Sequence, residues 1–189
     1  MNWFYIVVFL IIIFVILRCV FGYISNYNKI KRAYVKIDES ISGIDVALTK
    51  RYDILTKMVE VVKEYSKFEQ ETLFKIAEIR KNMNIKELNE FNNSMTEDFK
   101  RVDLVVEKYP KLRANDNYKL LQKSIVDVEE HLQASRRLYN SNVSLYNQLI
   151  LSFPSNIIAK GMGMKEREFF EAENDVKDNV DVKISDKKK

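Results

Sequence analysis

The chain has one histidine, His131, in the run VEEHLQASRR at residues 128–137, so any histidine-based chemistry must be built on it. A di-iron helical bundle places Glu three residues before each ligand histidine, and here that position is Val128. An HExxH zinc helix needs a second histidine that the sequence does not contain. The segment EEHLQASRR has the look of a phospho-accepting helix, but no Gly-rich ATP-binding segment follows it. His131 therefore reads as an ordinary helix-surface residue. The one cysteine, Cys19, excludes an internal disulfide framework and sits in apolar surroundings as a small hydrophobe. GMG at 161–163 reads as a flexible turn, and neither a P-loop nor a dinucleotide fingerprint occurs. No catalytic, metal-ligating or cofactor-binding set emerges, so the sequence reads as a non-enzyme without cofactor. The 31 basic and 27 acidic residues are interspersed along the chain. They leave no clustered basic stripe for a nucleic acid.

What remains is a polar set of another kind. On a helix through RRLYNSNVSLYNQLILSFPSNIIA (136–159), Tyr139-Asn140 recurs seven residues on as Tyr146-Asn147. With Tyr139 set at zero and 100° per residue, Leu132, Val143, Tyr146, Ile150 and Phe153 fall within about 40° and form the stripe expected to be buried. Glu129, Arg136, Asn140 and Asn147 fall between about 60° and 100° and form a ladder on its margin. Such a margin is expected to fix helix register by hydrogen bonds to neighbouring helices, with Arg51, Asp45 and Asp53 as candidate partners. The alternative is that the ladder lines a ligand or partner site.

The elements that must position this ladder are helices. Gly 4 and Pro 2 in 189 residues leave little material for turns. From Tyr27 a seven-residue repeat carries Tyr34, Ile41, Leu48, Leu55 and Val62 on one seam, with Ile30, Ile37, Ile44, Met58 and Tyr65 on the other and Arg51 interrupting it. Ile76, Ile79 and Met83 follow. A second run covers about 86–108 with Leu88, Phe91, Met95, Phe99, Val102 and Val105. YPKLRANDN (109–117) interrupts, since Pro110 disfavours helix at Tyr109 and the Asn and Asp residues can cap. The last run, 117–153, carries Tyr118, Ile125, Leu132, Tyr139, Tyr146 and Phe153 and ends at Pro154. Sustained heptads predict helices packed at shallow angles. A break of the first soluble helix near Lys50–Asp53, capped by Asp53, gives four helices of comparable length in an up-and-down bundle.

Ahead of the bundle, residues 3–17 form an unbroken apolar run, followed by a lone Arg18 and more apolar residues to Ile24. As a helix, residues 3–24 rise about 33 Å, enough for a hydrocarbon core of about 30 Å. Trp3, Tyr5 and Tyr23 stand at the ends, where interfacial aromatics belong, and Arg18 can snorkel. A cleaved signal peptide needs a basic n-region and a small-residue cleavage site, and neither is present. Arg18, Lys29, Lys31, Arg32 and Lys36 follow the span, which by the positive-inside rule puts the short N-terminus outside and the bundle in the cytoplasm. The division is therefore 1–25 anchor, 26–171 helical bundle, and 172–189 a mixed-charge tail without aromatics, expected to be disordered.

The blocks IDVALTKRYDILTKMVEVVKEYSKFE (44–69), YPKLRANDNYKLLQ (109–122), RRLYNSNVSLYNQLILSFPSNIIA (136–159) and FFE (169–171), in this order behind an N-terminal anchor, resemble the LemA family of bacterial membrane proteins. The resemblance implies a four-helix bundle behind one membrane span, with the short N-terminus outside and an undefined molecular activity. The sequence departs from the family block at Thr56, where proline is usual shortly after Asp53. Two function classes stand: a membrane-anchored interaction or scaffold protein whose partners are the lipid bilayer and a protein, and a membrane-tethered sensor or ligand-binding bundle.

Overall fold

The structure, a computed structural model, describes residues 2–65 and 83–170. Ile76, Ile79 and the 172–189 tail lie outside the described residues. Among the described residues all regular elements are helices: α1 (Asn2–Tyr65), α2 (Ile85–Glu107), α3 (Pro110–Arg113), α4 (Asp116–Leu151) and α5 (Ser155–Gly161). The fold is all-α, with a long apolar N-terminal helix and bundled helices, as the heptads require.

The expected break near Lys50–Asp53 does not occur: α1 runs on through it. Asp53 is exposed mid-helix rather than serving as a cap, and the Thr56 hydroxyl donates back to the Tyr52 carbonyl at 3.0 Å, one turn earlier. No proline interrupts the segment, so nothing removes a backbone donor there.

The other ends follow local chemistry. Asn84 Oδ1 accepts from the Glu87 amide at 3.0 Å while Glu87 Oε2 accepts from the Asn84 amide at 2.7 Å. This reciprocal cap starts α2 and stabilises it by about 1 kcal/mol. Pro110 opens α3, where its missing N–H is not needed. Asn115 Oδ1 then accepts from the Tyr118 amide at 3.1 Å and caps α4.

The chain divides into two compact units. The first comprises residues 2–47 and 130–169. In it α1 and α4 run antiparallel: Asn142 Nδ2 donates to the Lys36 carbonyl at 3.2 Å, and seven residues further along α1, Gly43 faces Ser135. Ile30, Ile37, Ile44, Leu132, Val143 and Tyr146 are buried here, each such side chain contributing about 1.5–3 kcal/mol. α1 is the one helix among the described residues long and apolar enough to cross a membrane, and its most apolar window is wholly unburied within the chain.

The second unit comprises residues 48–65 and 83–129 together with Phe170. Its core is Leu55, Met58 and Val62 from α1, Leu88, Met95 and Val102 from α2, Leu112, and Tyr118 from α4. The buried stripe of α4 stops short of its expected end: the helix closes at Leu151 and Phe153 is 80% exposed.

Candidate functional site

In the second unit the heptad of α1 puts Arg51 where an aliphatic residue would be expected, and the residue is buried. A buried guanidinium persists only when its donors and its charge are matched. One terminal nitrogen donates to the Asn92 carbonyl at 3.0 Å and to Asn92 Oδ1 at 2.6 Å, and the other donates to Thr96 Oγ1 at 3.0 Å. Nε lies 2.6 Å from Glu129 Oε1. The guanidinium carbon stands 5.3 Å from the centroid of the Phe99 ring, within cation–π range. Asn92, Thr96 and Phe99 occupy successive turns of α2, so one arginine joins α1, α2 and α4.

In the first unit the partners of α4 are not helical. After α5 the chain returns as a non-helical segment, and α4 holds its backbone along a line of seven-residue steps. The Tyr139 hydroxyl donates to the Glu168 carbonyl at 2.8 Å and the Tyr146 hydroxyl to the Lys165 carbonyl at 3.0 Å. Asn147 Nδ2 donates to the Arg167 carbonyl while its Oδ1 accepts from the Arg167 amide, both at 2.9 Å. The side-chain amide thus pairs with both backbone groups of one residue, as the residue opposite it on a neighbouring strand would. Arg167 turns back onto α1: it donates to the Tyr34 hydroxyl at 2.5 Å, its guanidinium carbon lies 4.8 Å from the Tyr34 ring centroid, and it stands 4.0 Å from Asp38. Tyr34 meets Tyr146 edge-to-face at 6.0 Å.

Between Lys31, Tyr34 and Tyr146 on the helices and residues 163–167 on the returning segment lies an open pocket of about 410 Å³. Burial raises the hydroxyl pKa of Tyr139 and Tyr146, with the nearby Arg167 cation opposing it in both. Both phenols stay protonated donors committed to carbonyls, which suits holding a backbone. In the second unit burial likewise raises the pKa of Tyr118, whose hydroxyl donates to Asp103 Oδ1 at 3.1 Å.

The four ladder residues are all half-buried. Glu129 meets Arg51, one of the three candidate partners; Asp45 and Asp53 are exposed. Asn147 reaches the returning segment instead of a neighbouring helix. Arg136 and Asn140 also make interactions within the fold. His131 is exposed, as is Cys19 on the apolar part of α1. Among the described residues no three His, Cys, Asp or Glu side chains gather as a metal site. Sequence reasoning missed Asn92, Thr96 and Arg167. Asn92 and Thr96, spaced i and i+4 beside the α2 seam, carried a readable signal; Arg167, in a segment without periodicity, carried none.

Residues 40–184 match the LemA family model. The chain belongs to the LemA family. A LemA protein of Metamycoplasma hominis is 27% identical over 169 residues, covering 86% of this chain and 76% of that protein. Magnetosome protein MamQ 2 of Paramagnetospirillum magneticum is 37% identical over 71 residues, 38% of this chain and 26% of that protein. Magnetosome protein MamQ of Magnetospirillum gryphiswaldense is 33% identical over 70 residues, 37% and 26% respectively. The chain thus spans about a quarter of the MamQ proteins and most of the M. hominis LemA protein.

Proposed function

We propose that this LemA-family chain is a single-pass, membrane-anchored interaction scaffold, with its short N-terminus outside, its helical bundle in the cytoplasm, and a polar ladder that serves structure. The observation that supports a structural ladder is occupancy. Glu129 is matched by buried Arg51, and Asn147 is matched at both ends of its amide by Arg167. Groups already paired inside the fold are poor instruments for binding a diffusing ligand, because each must be unpaired first. The unburied apolar stretch of α1 supports the anchor, and the basic residues that follow it support the orientation. The magnetosome relatives share too short a segment to bring a role with them.

The pocket beside Tyr34 and Arg167 supports the second reading, a tethered ligand-binding bundle. One experiment separates the two. Full-length chain and its Asn147→Ala variant are crosslinked in intact membranes, and each is melted in detergent. The scaffold reading expects a lower melting temperature for the variant. Unchanged melting with lost crosslinks would favour the ligand-binding reading. Protease added outside intact cells should leave the bundle whole; trimming beyond residue 30 without lysis would reverse the orientation.

A further inference from the structure

We propose that the turn between α4 and α5, with the outer face of α5, is a second membrane contact, seated in the headgroup layer of the leaflet where the α1 span emerges. This rests on the anchor reading above. The placement comes from the antiparallel register inside the first unit. Tyr146 packs on Tyr34, and Asn142 bonds to the Lys36 carbonyl, so advancing along α4 means descending α1 toward the span. The helical bonding of α4 carries to Ser152, whose amide donates to the Gln148 carbonyl at 3.0 Å; Ser152 lies six residues beyond Tyr146, an axial step of about 9 Å that brings it level with Asn28. Asn28 is four residues past Ile24, the last residue of the apolar stretch, or about 6 Å. A headgroup layer of about 5–7 Å flanks each side of the hydrocarbon core. The start of the turn therefore falls inside that layer, one residue from the level of Tyr27, whose ring stacks with that of Tyr23 at 6.4 Å where interfacial aromatics belong.

The side chains at that level suit the place. Leu151 is 60% exposed, Phe153 80% and Ile157 63%, three large apolar groups within seven residues. Single exposed apolar residues are ordinary on any surface, but a group at the bundle end nearest the span is a contact surface. α5 divides its two faces sharply: Ser155, Ile158 and Ala159 are buried in the unit while Ile157 points out. Lys29, Lys31 and Lys160 are exposed at the same end and can meet lipid phosphates while the apolar groups enter between headgroups. The continuity of this end with the span makes lipid the occupant, and the geometry holds for either orientation of the protein.

Full-length chain carrying Cys19→Ser, reconstituted in phosphatidylcholine–phosphatidylglycerol vesicles, is spin-labelled in turn at Phe14→Cys, Leu138→Cys, Phe153→Cys and Ile157→Cys. Collision with oxygen is compared with collision with a water-soluble nickel chelate. Expected is an oxygen-dominated response at 153 and 157, shallower than at 14 and opposite to that at exposed 138. A chelate-dominated response at 153 and 157 with oxygen dominance at 14 overturns the proposal and leaves the anchor standing. A label at 153 shielded from both reagents shows protein covering the turn and also overturns it. Chelate access at 14 would defeat the anchor reading itself. Two sites are labelled so that one disturbed variant does not decide the result, and both replaced side chains are mostly outside the core.

Discussion

Arg51 Nε and Glu129 Oε1 are 2.6 Å apart, and the two ends of this ion pair differ in exposure: the arginine side chain is 4% exposed and the glutamate 33%. The pair is therefore asymmetric under mutation. Removing the arginine strips Asn92, Thr96 and Glu129 of a shared partner and leaves a cavity, whereas removing the glutamate leaves a guanidinium still bonded to Asn92 and Thr96. Arg51→Ala is expected to destabilise the chain by about 3–5 kcal/mol. Glu129→Gln, at a site that water reaches, is expected to cost about 1 kcal/mol. Thermal melts of the detergent-solubilised chain check the ranking, and equal losses would show that the pair, not the arginine cluster, carries the effect.

The contacts that hold residues 165–168 against α4 make a second ranking. Asn147→Ala removes both hydrogen bonds to Arg167 and is expected to cost about 1–3 kcal/mol. Tyr139→Phe and Tyr146→Phe each lose a single hydroxyl bond, about 1 kcal/mol, while Tyr139→Ala opens a core cavity as well, about 3–5 kcal/mol. Hydrogen exchange gives the local readout: the Arg167 amide should lose protection in Asn147→Ala and keep it in Tyr139→Phe. Protection unchanged in the asparagine variant would mean the segment is held elsewhere.

The heptads made helix identity legible because core-facing positions repeat whatever the partner is. The limits of α2 and α4 fell within two residues of those read from Pro110, the capping Asn residues and Pro154. The continuity of α1 was harder. Asp53 offered a cap that would divide a very long helix into two of comparable length with the others, but no proline interrupts the segment and the Thr56 hydroxyl bonds back to the Tyr52 carbonyl within an unbroken helix. The ladder was legible as a margin of α4, since angular position depends on spacing alone. The partner of Asn147 was not, because a returning segment that makes its bonds through backbone groups leaves no side-chain pattern to read.

Gly43 lies mid-helix, where glycine ordinarily weakens a helix relative to alanine by about 0.5–1 kcal/mol. A Cβ built there would stand 3.4 Å from Ser135 Oγ and 3.8 Å from Ser135 Cβ, which is ordinary contact. Gly43→Ala is therefore expected to raise stability by about 0.5–1 kcal/mol, and Gly43→Val, which is larger and β-branched, to lower it. If alanine destabilises, α1 and α4 approach more closely in the membrane-bound protein than their contact at Ser135 indicates.

Asp98 supplies a pH test. The residue is buried on α2, and burial raises its carboxyl pKa, opposed by Arg101 at 3.2 Å and assisted by neighbouring Glu97. A folded-state pKa above the unfolded value means that the folded chain favours the protonated acid. The associated stability is then fully present below the unfolded pKa of about 3.9 and is lost as pH rises through the folded pKa. At neutral pH the carboxylate is a net liability, because the Arg101 side chain is 53% exposed and its charge is shared with water. Asp98→Asn, which keeps the shape and removes the charge, should melt higher than the parent near neutral pH, and the advantage should shrink toward zero as pH approaches about 4. Melts of both chains across that range check the sign. A parent that melts higher at neutral pH would show that the Arg101 contact outweighs burial.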